Sequence, residues 1–406
     1  MKDKAKSALT GIIFLLFLPV LLYSQSDIYK TLLKVEASRK AGDNIGSLNL
    51  LNGFLSGNSD YRFYVLRGEV YLTTGNLTSA ESDFTAASGI KKGSGSFGLS
   101  RVYAARRNAE KSLTYLDENL NSEFSVTERV IMADPSFNSI ENTAEWRKFW
   151  STDRYTEAEL FLSEVQYLLG IGRVDDAREL VSERKSTFAE GAELAFSEVL
   201  LNFSSGNYQA TVDILYSSAS SGVPELMKDK LLAESHFKLG NFEQSMRLLT
   251  DMIASEMQDA TIFVSRANCY VALSDYRKAL SDLDFYLSLY PDDDDVLNLA
   301  GAVSAKAGDT NGALKYLNRN LEANPNSIEA FKSRGDIWVS TRMWDYAISD
   351  FSMVLDIDPY DSEIWLNKGL SLLNIGKKEE ACHDFRQSMR LGNRKASEYV
   401  NKHCIR

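Results

Sequence analysis

Two neighbouring stretches of the chain, Ile328–Pro359 and Ser362–Asn393, repeat one pattern at a fixed offset. Phe331 answers to Trp365, Gly335 to Gly369, Ala347 to Ala381 and Phe351 to Phe385, each 34 residues apart. A period of this size marks a solenoid of stacked helix pairs, because one helix pair cannot bury its apolar face without a neighbour. Phe331, Gly335 and Trp338 fall at steps of four and three, which puts them on one face of a helix. A short break at Arg342-Met343 follows, and then a second helix with the stripe Trp344, Ile348, Phe351 and Leu355. The small residues Gly335 and Ala347 are expected where the two backbones cross. Pro359 stops the second helix.

The same phase runs without a slip over residues 158–395, which makes seven repeats of 34. The eighth place reads Val165, Val199, Ala233, Ala267, Gly301, Gly335 and Gly369. The twentieth reads Ala177, Thr211, Ser245, Ala279, Ala313, Ala347 and Ala381, and the turn place Gly172, Gly206, Gly240, Ser274, Gly308, Arg342 and Gly376. This pattern resembles the tetratricopeptide repeat. The resemblance implies an all-α fold, a right-handed α-solenoid of helix-turn-helix repeats. It also implies a ligand groove lined by the second, fifth and ninth places of the first helices. Those places hold Thr261, Val264 and Asn268, then Asp295, Asn298 and Ala302, then Glu329, Lys332 and Asp336, then Glu363, Leu366 and Leu370. The carboxylate clamp of chaperone-binding members is not supported, since Asp336 and Glu363 stand where it needs Asn and a basic residue. An acidic lining favours a basic or extended polar protein segment.

Ahead of the array, residues 25–121 read as three looser repeats, the clearest carrying Tyr64, Gly68, Tyr71, Gly75, Ala80 and Phe84. Gly89, Gly93, Gly95 and Gly98 suggest a lengthened loop after it. Residues 122–157 break the pattern. Asp134-Pro135 is a helix start, Asn142 and Glu145 have capping-box spacing, and Trp146, Phe149 and Trp150 share one helical face. That face either caps the first repeats or is an aromatic surface for a partner. Residues 394–406 read as a final helix over the open end of the stack.

Residues 1–24 read as a signal peptide: Lys2, Lys4 and Lys6, an apolar stretch from Ala8 to Tyr23, and small Ser24 before the cut. Its end resembles leaders of envelope proteins of the Bacteroidota. The expectation is an exported chain, periplasmic, envelope-associated or secreted, with no membrane span after the leader is removed; the alternative is a leader retained as an N-terminal anchor. The formal charge of −11 becomes −13 without that leader. An acidic chain with no basic run is a poor match for nucleic acid.

Cys382 and Cys404 lie on either side of a turn near Gly392, so two antiparallel helices bring them level as a candidate disulfide. The run Asp292–Asp295 precedes a helix start and reads as capping, since it lacks the Gly and distal Glu of a calcium loop. No nucleotide loop, zinc motif or Ser-His-Asp grouping is found, so no cofactor or metal is expected and the chain reads as non-catalytic. The function expected is that of a protein- or peptide-binding scaffold or adaptor in the cell envelope. The alternative is a fixed structural subunit of an envelope secretion or assembly complex.

Overall fold

Each helix pair is closed by one residue in the left-handed region. The structure, a computed structural model, describes residues 27–188, 191–217 and 223–404; the expected signal peptide, residues 1–24, lies outside them. At the turn place φ is +78° at Gly172, +77° at Gly206, +78° at Gly240, +80° at Gly308 and +80° at Gly376. Ser274 (+61°) and Arg342 (+59°) adopt the same conformation against the penalty of a Cβ. The Arg342 amide donates to the Val339 carbonyl (3.1 Å) and that of Met343 to the Trp338 carbonyl (2.7 Å), the paired hydrogen bonds of a Schellman stop. Where the next residue is Asp or Asn, it starts the second helix. Asp309, for example, accepts from the amide of Gly312 (2.9 Å).

The chain divides into two compact units, and the division falls between Asp259 and Ala260, a repeat boundary. In the N-terminal unit, three helix pairs come first: α1 (27–40) with α2 (Asn44–Leu55), α3 (Tyr61–Thr73) with α4 (Leu77–Ile90), and α5 (Ser96–Ala105) with α6 (Ala109–Leu120). The insert holds α7 (Glu128–Ala133), a 3-10 turn (Pro135–Ser139) and α8 (Ala144–Phe149). Three phased pairs follow: α9 (Glu157–Gly170) with α10 (Val174–Arg184), α11 (Ala192–Ser204) with α12 (Tyr208–Tyr216), and α13 (Glu225–Lys238) with α14 (Phe242–Ala254). The C-terminal unit has four: α15 (Thr261–Ala272) with α16 (Tyr276–Leu289), α17 (Asp294–Lys306) with α18 (Thr310–Ala323), α19 (Ile328–Ser340) with α20 (Trp344–Ile357), and α21 (Ser362–Asn374) with α22 (Lys378–Arg390). It ends in α23 (Arg394–Tyr399) and a π-helical turn (Val400–Cys404). Among the described residues there is no strand, and no helix is long and apolar enough to cross a membrane.

The small eighth residue serves ring packing as well as close backbone approach. A Cβ on Gly335 would lie 2.5 Å from the Phe351 ring, one on Gly369 2.7 Å from Phe385, and one on Gly68 2.7 Å from Phe84. Each ring sits sixteen residues after its glycine and is buried. Beside each of these contacts lies an ion pair that the sequence reading missed. Arg334 forks onto Asp350 (2.6 and 2.8 Å), Arg266 onto Asp282 and Arg67 onto Asp83. Lys368 reaches Asp384 at 3.5 Å. Arg334 also donates to Asn318 on the preceding second helix (2.7 Å), and so ties three helices together.

Several expectations are corrected. The glycine-rich stretch is not a lengthened loop: Gly89 is inside α4, Gly98 is inside α5, and residues 91–95 alone link them. Glycine is needed there because a Cβ on Gly95 or Gly98 would meet the Phe84 carbonyl or ring. The cap of α8 is Thr143, which accepts from the Trp146 amide, and not Asn142. Trp146, Phe149 and Trp150 are not a partner surface. Trp146 and Phe149 are each 8 % exposed, and with half-buried Trp150 they pack on Leu113, Leu116, Ile131, Phe137 and Ile140, closing the first three pairs.

Two substitutions test this packing. Gly335→Ala is expected to destabilise the protein by about 1–3 kcal/mol through overpacking, although Ala is the better helix former. Gly53→Ala, on an open face of α2, should be neutral or gain about 0.5 kcal/mol. Arg334→Met should cost about 3 kcal/mol by leaving Asp350 buried and unpaired, and Arg334→Met with Asp350→Leu should recover most of it. Urea melts of the four variants read these differences.

Candidate binding groove

The first helices of the C-terminal unit, α15, α17, α19 and α21, present the candidate groove residues. The positions follow from capping. Asp293, Ser327 and Asp361 accept the first amides of α17, α19 and α21, and so fix which residues of each helix point inward. Inward-facing Phe331 and Ile364 are buried, which turns Glu329, Asp336 and Glu363 outward. Thr261, Asp295, Glu329, Asp336 and Glu363 are exposed, and Asn268, Asn298 and Lys332 are half-buried.

Asn298 and Lys332 are occupied by the protein itself. Asn298 donates to Asp294 Oδ1 (3.0 Å) and accepts from Asn320 (2.9 Å). The same Asp294 carboxylate accepts from Asn320 (2.6 Å) and from Ser327 (2.7 Å). This cluster joins α17 and α18 to the start of α19, so Asn298 holds the stack and is not free for a ligand. Lys332 pairs with Asp361 (2.9 Å) and more loosely with Glu329 (3.5 Å). Leu366 is buried against the Phe385 cluster and does not line the groove.

What remains is a row of carboxylates. Asp295, Asp336 and Glu363 have no cation partner among the described residues. Loss of hydration and the facing Glu363 carboxylate push the Asp336 carboxyl above its ordinary pKa. Burial acts the same way on Asp361, but the Lys332 ammonium and the amides of Ile364 and Glu363 outweigh it and hold Asp361 below its ordinary value. The structure thus brings Glu329, Lys332, Asp336 and Glu363 into one neighbourhood, with Asp295 one repeat earlier and Thr261 and Asn268 two repeats earlier.

Next to this face runs a ladder of cations over rings. Arg266 lies over Phe263 and Tyr270, Arg334 over Phe331, and Lys368 over Trp365 at 4.9 Å. Its signal was available in the sequence: Arg or Lys at the seventh place and Asp sixteen residues later, at Arg266, Arg334 and Lys368. The run at Asp292–Asp295 acts as helix caps and network, with Asp293 accepting from the Val296 amide (3.1 Å) and the Tyr286 hydroxyl (2.9 Å). Among the described residues no group of three or more His, Cys, Asp or Glu is placed to hold a metal ion. At the chain end Cys382 and Cys404 are joined in a disulfide, with Cα atoms 5.5 Å apart.

Sequence models described as tetratricopeptide repeat match residues 61–93, 264–328 and 362–391. The chain is 24% identical over 220 residues to the BBSome complex member bbs-4 of Caenorhabditis elegans, covering 51% of this chain and 46% of that protein. It is 25% identical over 162 residues to human tetratricopeptide repeat protein 16, covering 37% of this chain and 19% of that one. The chain therefore spans less than half the length of these relatives. Among solved structures, the Cut9–Hcn1 hetero-tetramer of the APC/C is matched over 91% of this chain and 82% of that one, at 16% identity and a TM-score of 0.46. YrrB, described as a TPR protein with an unusual peptide-binding site, is matched over 44% of this chain and 92% of its own, at 21% identity and a TM-score of 0.38. The chain carries tetratricopeptide repeats, and its fold is an all-α solenoid of such helix pairs.

The two carboxyls give opposite pH signatures. Asp336→Asn is expected to raise the melting temperature at pH 7 by about 1–2 °C, because a carboxyl with a raised folded pKa costs stability once ionised. That gain should vanish below about pH 4, where the unfolded group is also neutral. Asp361→Asn should lower the melting temperature at pH 7, and its deficit should fade as pH falls from about 4 through the depressed folded pKa. Thermal scans between pH 3 and 7.5 check both.

Proposed function

We propose that the chain is an exported, non-catalytic scaffold or adaptor of the cell envelope that binds a basic or extended segment of a partner protein along the first helices of its C-terminal unit. The observation that carries this reading is the row of exposed carboxylates at Asp295, Asp336 and Glu363, which have no cation partner among the described residues, joined by Glu329. Charge held this way is costly to the free protein, since Asp336 and Glu363 repel each other, and a lysine or arginine laid between them removes the cost. The rows of first helices are a preformed surface, so binding needs little ordering of the scaffold. Tetratricopeptide-repeat proteins generally act as protein-binding scaffolds, which agrees with this use of the face. The +2 charge and apolar stretch of residues 1–24 support export.

Crosslinking in intact cells, followed by purification and identification of bound proteins, tests the reading. The expected result is a set of substoichiometric partners, lost at least tenfold when Asp295, Glu329 and Glu363 are all changed to Lys. One partner set in constant ratio that survives this charge reversal would instead make the chain a fixed subunit of an envelope assembly. Retention of every partner after the reversal, at any ratio, would remove the carboxylate face from the mechanism.

A further inference from the structure

In the N-terminal unit the first helix of a repeat lies along the second helix of the repeat before it: α5 along α4, α11 along α10, α13 along α12. Helix α9 breaks this rule. Among the described residues no earlier helix packs along it, because the insert folds back, its 3-10 turn onto α5 and α8 onto α6. The insert reaches α9 through Arg129, which pairs with Glu164 (2.9 Å) and stacks on Tyr167 (4.0 Å). It also reaches the start of α9 through Tyr155, whose hydroxyl donates to the Val126 carbonyl (2.7 Å).

Between α7 and α9 this leaves a groove of about 830 Å³, lined by Val126, Met132, Leu160, Leu162, Phe196 and Pro224. Along α9, Leu160, Glu164, Tyr167 and Ile171 fall at steps of four, three and four, which is one stripe of a helix, and all four are exposed. Leu160 is 43 % exposed, Tyr167 42 % and Ile171 50 %, and Met132 across the groove is 51 % exposed. A surface helix of a closed stack buries such a stripe. Beyond Leu160 a second hollow of about 400 Å³ continues over Phe161, Leu180 and Phe188.

The charges at the rim select the occupant. Glu128, Glu157, Glu159 and Glu164 border the two hollows against Arg129 and Arg184, and Arg129 is spent on Glu164. Glu128 and Glu157 have no cation partner among the described residues. A second copy of this chain, at a formal charge of −11, would bring like charge to this rim.

We propose that the groove between α7 and α9 binds an amphipathic helix of a partner protein, with an apolar row flanked by lysines or arginines, in the place where a preceding second helix would lie. Helix ridges at these steps pack into the grooves of another helix, and at about 830 Å³ the cleft has room for several side chains of such a helix. This surface is separate from the carboxylate face of the C-terminal unit and does not depend on it.

The probe is a fluorescein-labelled twenty-residue helical peptide with a leucine stripe and flanking lysines, read by anisotropy against the purified protein. The control is the same peptide with glutamates for lysines. The lysine peptide is expected to bind at least tenfold more tightly than the control, and Leu160→Lys or Met132→Lys should each weaken it at least tenfold. Both side chains are exposed, so the circular dichroism melt should be unchanged. The triple reversal at Asp295, Glu329 and Glu363 should leave the affinity within twofold. The proposal is overturned by absent or equal binding of the two peptides, by an affinity unchanged in Leu160→Lys, or by binding lost with the triple reversal instead. Sedimentation velocity adds one more decisive result: a dimer that Leu160→Lys dissociates would make the groove a self-interface and overturn it too.

Discussion

One contact sets the distance between the helices of a repeat: the side chain at the twenty-fourth place pressed onto the eighth place of the helix before it. The two places are paired all along the array, and the largest ring goes with the smallest partner. Phe351 and Phe385 face Gly335 and Gly369, and Leu317 faces Gly301. In the same places Leu283 and Leu249 go with Ala267 and Ala233, Leu215 with Val199, and Val181 with Val165. Phe goes only with Gly and the smaller Val181 with Val165, while Leu accepts Gly, Ala or Val opposite it, and all of these positions are buried. Close packing makes the ring places exacting: a Cβ added opposite Phe351 or Phe385 would clash, at about 1–3 kcal/mol.

The ion pairs follow from the same crossing. Asp350 and Asp384 come one residue before their rings, so a ring turned onto glycine turns the carboxylate onto the seventh place of the first helix. That carboxylate is nearly as buried as the ring and needs a cation, which Arg334 and Lys368 supply. In the earlier phased repeats the twenty-third place is Leu180, Ile214 and Leu248, and the seventh is Glu164, Glu198 and Leu232. With no buried carboxylate to neutralise, the seventh place is released from that duty. Glu164 uses this freedom to hold Arg129 of the insert.

Periodicity made the helix pairs legible, because the turn, the small eighth place and the apolar stripe each recur at 34 and nothing but stacked pairs satisfies all three. It could not tell a buried aromatic from a displayed one. Trp146, Phe149 and Trp150 have the steps of any amphipathic face, and only the fold of the insert onto α5 and α6 decides that this face goes inward. For the candidate groove, the pattern names places on the first helices but not which side chains the protein itself engages. Asn298 is spent in a network with Asp294, Asn320 and Ser327, residues up to 33 apart whose meeting is a matter of tertiary packing. Leu366 was misassigned because the fifth place faces inward in that repeat.

The groove beside α9 was invisible in the sequence for a further reason: it is defined by a missing neighbour. Leu160, Tyr167 and Ile171 are what a first helix carries when it expects a second helix alongside, and the phase of 158–395 starts with them as though one were there. The insert occupies that point in the chain yet spends its own aromatics on closing the three pairs behind it. A stack that ends needs a polar cap, and one that continues needs an apolar face. Helix α9 keeps the apolar face of a continuing stack beneath an acidic rim, so its sequence retains the character of an interface where no helix among the described residues covers it.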